Sequence, residues 1–180
     1  MITLSMMVSS FSLAFVYEQP ILQNRGVDVK YFGTIFGGFL VIGMVGSYYL
    51  RHFNLKKSID KSYVVLTGLM AIGIYFMSFH KGFIIPLLAM ILLALLNGLV
   101  YPMKFIVMNS LITSDEIRSG VLSIESYLEF LSKSIISIFV GVIADCYSVE
   151  LAVKLIALIP FAIMVTFLIT RIRKNKIKQV

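Results

Sequence analysis

The chain has 180 residues, of which 59% are hydrophobic and 14% charged, with a mean hydropathy of +0.94. Soluble domains lie nearer half apolar and a quarter charged, so this composition excludes an ordinary soluble domain and, still more firmly, a disordered chain. The net charge of +7 does not indicate nucleic-acid binding, because most cations sit between or after long apolar runs.

Six apolar runs order the chain, at about 1–18, 31–50, 62–79, 83–104, 120–144 and 151–170, followed by a basic tail over 171–180. Most match the ~20 residues that cross a hydrocarbon core as a helix. They do not alternate apolar and polar residues as barrel strands do, and a helix satisfies its own backbone polar groups inside lipid. The expected fold is an all-α membrane protein, a six-transmembrane-helix bundle. The first run lacks a basic leader and an A-x-A cleavage pattern, so it reads as a span and not as a secretion signal.

Charge between the runs sets an expected orientation. Arg51, Lys56, Lys57, Lys61, Arg118, Arg171, Arg173, Lys174, Lys176 and Lys178 fall on one side, and Arg25, Lys30, Lys81 and Lys154 on the other. The positive-inside rule then places both termini in the cytoplasm and the chain in the cell membrane as a multi-pass protein. The basic tail is suited to contact with anionic lipid.

In the first run, Glu18 precedes Gln19 and Pro20 and reads as an interfacial cap. The second is rich in glycine, and Gly33, Gly37 and Gly38 are expected to allow close helix packing, with Gly43 and Gly46 farther along. The fourth carries Asn97, Gly98, Tyr101, Pro102 and Lys104; Pro102 should bend the axis, and Asn97 and Tyr101 share a face on which they could bond a solute.

The fifth run holds the most informative residues. Glu125, Glu129 and Lys133 lie four residues apart, so they occupy an arc of ~80° on one helix. Ser126, Ser132 and Ser137 fall on or beside that face. Lys133 lies near the bilayer centre, with Glu129 ~6 Å and Glu125 ~12 Å to one side. Each charge at the centre costs ~2.5–3.5 kcal/mol against lipid, so the stripe should face protein or a wet cavity. Two explanations stand: a structural Glu129–Lys133 pair, and a pathway in which a carboxylate binds solute or exchanges a proton. Lys104 lies at a depth similar to Glu125 and is a candidate partner for it.

No enzyme constellation is present. His52 and His80 fall in loops on opposite sides, and no glycine-rich phosphate cradle occurs. The lone Cys146 allows no internal disulfide, and no Cys/His spacing suggests a metal. Neither cofactor nor metal is expected.

Three stretches resemble the C-terminal half of a major facilitator superfamily transporter. Tyr17-Glu18-Gln19-Pro20-Ile21-Leu22, followed by Gly26 and Tyr31-Phe32-Gly33, resembles the passage from that family's seventh helix to its eighth. Arg118-Ser119-Gly120-Val121-Leu122-Ser123-Ile124-Glu125-Ser126 resembles the start of the eleventh, and Gly141-Val142-Ile143-Ala144-Asp145 its outer end. The resemblance implies two three-helix inverted repeats, with the first and fourth helices lining a central cavity and the second and fifth flanking the other half. The glycine-rich Asp-Arg signature of the family is reduced here to Gly46 and Arg51. The implied activity is secondary, proton-coupled transport of a small solute. Glu125, Glu129, Lys133, Lys104, Asn97 and Tyr101 are its pathway candidates, and a second six-helix half or another subunit is the expected partner. The alternatives are the substrate-binding subunit of an energy-coupling-factor importer, against which the lone Ala14 counts where those subunits carry A-x-x-x-A, and a truncated, inactive fragment.

Overall fold

A computed structural model describes residues 2–50, 59–79, 82–112 and 118–177. Six long helices follow one another: α1 (Ile2–Asn24), α2 (Phe32–Leu50), α3 (Ile59–Met77), α4 (Ile84–Leu111), α5 (Arg118–Cys146) and α6 (Val149–Ile177), with a 3₁₀ turn at Val29–Tyr31. They overlap the six apolar runs. Several outrun them, because charged residues at a run's edge end the hydropathy signal without ending the helix; α6 continues into the segment read as a tail. Of the cations used for orientation, Arg51, Lys56, Lys57, Lys81 and Lys178 lie outside the described residues, as does His80. His52 lies there too, and the side chains of Lys61, Arg171, Arg173, Lys174 and Lys176 are likewise not described.

On length and composition, four helical segments can cross a membrane: Val29–Tyr48, Ile84–Asn109, Arg118–Cys146 and Val149–Thr170. This establishes an all-helical protein suited to a bilayer. The apolar part of α3, Ser62–Met77, is shorter. The α1 helix is diluted by polar residues, and the structure shows where they go: Ser5, Ser9, Ser10 and Glu18 are all buried. Beside them Val8, Phe11, Ala14, Ile21 and Leu22 are fully enclosed, because α1 packs against α5, α6 and α3. It is the central helix, and its polar face looks inward.

The helix ends follow local chemistry. Gly26, at φ +77°, closes α1 in the left-handed conformation that glycine adopts without strain. Val27 N–H donates to the Leu22 carbonyl there (3.1 Å), as in a Schellman cap. Asp28 then caps the 3₁₀ turn, accepting from the Lys30 N–H and side chain. These bonds hold its carboxyl below the ordinary aspartate value, so their contribution is present at neutral pH and lost as acid protonates Asp28.

The packing pairs have an internal regularity. The α2–α4 contact corresponds to α5–α1, and α3–α4 to α6–α1, when the first three helices are exchanged for the last three, while α3–α6 maps onto itself. The α5–α6 and α1–α3 contacts are less evenly matched.

The closest crossing, α2 on α4, corrects the glycine expectation. Gly33, Gly37 and Gly38 are exposed, with nothing within 4 Å of where a Cβ would stand. The tight approach is made farther along α2. A Cβ on Gly98 would lie 2.0 Å from the Gly43 carbonyl oxygen, and one on Gly46 would lie 2.4 Å from that of Leu95. Contact this close has a second effect. Pro102 cannot donate to the carbonyl four residues back, which is Gly98. Ser47 Oγ, carried on α2, donates to that same oxygen at 2.9 Å. The proline's lost bond is thus replaced across the interface, and α4 runs on through it to Leu111.

Ser47→Ala should therefore cost about 1 kcal/mol, measured by unfolding of the detergent-solubilised protein. Adding Pro102→Ala, which restores the helical donor, should recover most of it. Gly98→Ala should cost more, at or above about 1–3 kcal/mol for overpacking against backbone, whereas Gly37→Ala should be neutral or slightly stabilising.

Candidate functional site

The charged stripe of α5 turns inward. Glu125 is 1% exposed and Val140 is buried, with Glu129, Ser132, Lys133 and Ile136 partly buried between them. The opposite face shows Ile124, Leu131, Ile135, Ile138 and Val142 to the surroundings. This division follows from cost, since aliphatic side chains lose nothing in lipid and ionised ones lose several kcal/mol.

Lys104 reaches the stripe from α4. Its Nζ lies 2.8 Å from Glu125 Oε2 and also bonds Glu129 Oε2, so one ammonium is shared by two carboxylates a turn apart. The Lys104–Glu125 partnership expected from depth is present. The Glu129–Lys133 pair is not among the described ion pairs; Glu129 turns to Lys104, and Lys133 Nζ donates to Ser12 Oγ on α1 at 2.7 Å. Lys104 can serve both carboxylates at once because Glu125 and Glu129 stand one turn apart on the same face of α5. Lys133 lies one turn deeper along α5, within reach of α1's hydroxyl. Ser9 Oγ completes the join by donating to the Glu129 backbone carbonyl at 2.8 Å. Two lysines balance two glutamates.

Tyr101, three residues before Lys104, brings its phenol to the same place and interacts with Ser12, Glu129 and Lys104. At 37% exposure it forms the open side of the cluster. The two carboxylates differ accordingly: the Glu129 side chain is 17% exposed and that of Glu125 only 2%. Glu125 Oε1 has no hydrogen-bond partner. Asn97 stands apart, about 10 Å from Lys104 along α4; it is half-buried and makes no side-chain hydrogen bond among the described residues. Ser126 and Ser137 are exposed rather than part of the inward stripe.

Sequence reasoning missed α1's share of the cluster. The signal was available in Ser5, Ser9 and Ser12, whose spacing places three hydroxyls on one side of the helix. It also misplaced Glu18, which is 1% exposed and not an interfacial cap. Among the described residues, no cluster of three or more His, Cys, Asp or Glu could hold a metal.

No family model matches this chain, and neither a curated protein nor a solved structure matches it significantly.

Removing the shared cation tests the cluster. Lys104→Met leaves two buried carboxylates facing each other and should cost about 3–5 kcal/mol in unfolding experiments. Adding Glu125→Gln and Glu129→Gln should restore most of that loss. Lys133→Met, which removes a bond to a hydroxyl, should cost less, about 1–3 kcal/mol.

Proposed function

We propose that this chain is one six-helix half of a secondary transporter of the major facilitator type, working with a second bundle to move a small solute in exchange or symport with protons. All six helices then cross the cell membrane, with both termini cytoplasmic. The observation that carries the reading is the shared ammonium. Lys104 sits between two carboxylates of a different helix, with one carboxylate enclosed and the other beside an open, phenol-lined side. Protonating Glu129, or pairing it with a cationic or hydroxyl-bearing solute, frees Lys104 to bind Glu125 alone. Such a trade of partners makes the charge of the cluster depend on whether a proton or a solute is bound, which couples the two occupancies.

Two further features support it. The packing pairs exchange between the first and last three helices in the manner of an inverted repeat. In addition, Ser123, Ser126, Ser134 and Ser137 are exposed within an ~80° arc of α5, between its charged and aliphatic faces. Small hydroxylated residues suit close approach by helices of a partner bundle better than they suit acyl chains.

The test is proton movement in proteoliposomes containing the chain together with a partner bundle, challenged with panels of sugars, amino acids and organic cations. The reading predicts solute-dependent proton flux, abolished by Glu129→Gln at unchanged protein level. Flux that persists in Glu129→Gln, or copurification with ATPase subunits in place of a second bundle, would contradict it.

A further inference from the structure

Glu18 lies outside the Lys104 cluster. It is six residues beyond Ser12 on α1, about 9 Å along the axis, in the half of the bundle where the short α1–α2, α3–α4 and α5–α6 connections lie. Although it is 1% exposed, neither of its carboxyl oxygens has a hydrogen-bond partner. No ion pair reaches it among the described residues. Among the described residues, the charged groups at this end of the packed elements are engaged elsewhere or are not in pairing distance. Asp145 on α5 is exposed and acts on Tyr17, Glu150 on α6 pairs with Arg25, and Lys154 on α6 is half-buried without reaching Glu18. On α3 the one titratable group at this depth is the exposed Tyr75, and this half of α4 carries none. An ionised carboxylate in such a place would be uncompensated, which proteins avoid by neutralising the group.

Just beyond Glu18 the bundle is tied shut. Arg25, on the same side of the chain two turns on, donates to the Phe79 carbonyl at 2.6 Å and lies 3.9 Å from Glu150. One guanidinium thus links the ends of α1, α3 and α6. Pro20 cannot donate to the Val16 carbonyl, so the turn that carries Glu18 lacks a backbone bond and α1 has a place to bend there.

We infer that Glu18 is a second proton-carrying site, occupied in this closed arrangement and emptied when the Arg25 tie opens that end of the bundle to water. On opening, the carboxyl O–H bond breaks, the proton passes to water, and the carboxylate left behind is hydrated. Its role in coupling rests on the carrier reading; its protonation does not. The two sites occupy opposite halves of the bundle along α1, so a proton can be exchanged at either end of a transport cycle.

Infrared spectroscopy of the full chain in lipid nanodiscs tests this directly. At pH 7 the wild type should show the C=O band of a protonated carboxyl, shifted in D₂O. The band should be lost in Glu18→Gln, kept in Glu125→Gln, and kept at a changed frequency in Glu18→Asp, each with a cooperative melt that certifies folding. Arg25→Gln, which cuts the tie, should weaken the band at the same pH. A spectrum of Glu18→Gln identical to that of the wild type, or a band that appears only after sodium is withdrawn, would overturn the proposal. A chain that shows the band yet moves no solute would uphold the protonation and discard the carrier reading alone.

Discussion

A single ammonium placed where lipid would not tolerate it organises this protein. Lys104 is buried, and it is stable there because Glu125 and Glu129 converge on it from α5 while Ser9 and Ser12 of α1 hold the neighbouring positions of that helix. The backbones of α4 and α5 hardly touch. Their association at this level is electrostatic, carried by side chains that reach past α1. Buried ion pairs seldom add net stability over an apolar equivalent. Removing any one of these charges leaves another uncompensated, so the three are interdependent.

The second constraint is backbone accounting in a medium with no water. The α4 helix carries Pro102 two residues before Lys104, and a proline there leaves a carbonyl without its donor. Glycines at the α2–α4 crossing bring Ser47 close enough to supply one. An irregular helix and a close crossing are thus one feature, and the lysine sits just past it. The carbonyl freed by the proline, the small residues and the charge form a sequence of dependencies along α4.

Much of this was legible beforehand. Hydropathy located the six helices because a bilayer-length apolar run has few other fates. The Glu125-Glu129-Lys133 spacing revealed a stripe, and depth alone suggested Lys104 for Glu125. What failed did so for physical reasons. The i, i+4 rule favoured Glu129 with Lys133, but a helix-local rule cannot weigh a cation arriving from another helix. Glycine spacing pointed to Gly33 and Gly37, whereas close approach depends on where helix axes cross, and that is settled by the whole bundle. Glu18 looked interfacial because of the Gln and Pro beside it; its burial comes from the central position of α1, which no local pattern encodes.

The cluster has one open side, at the half-exposed Tyr101. Tyr101 lies at the boundary between the enclosed Glu125 and whatever occupies the space beyond Glu129. If the cluster faces water or a partner bundle, that boundary must be wet, while the aliphatic face of α5 must be dry. Cysteine labelling by a membrane-impermeant thiol reagent, with the exposed Cys146 replaced by serine, measures this most directly. Rapid reaction of Tyr101→Cys and none of Ile138→Cys is expected in intact membranes. Equal protection of both positions, in the presence and absence of a second bundle, would contradict it.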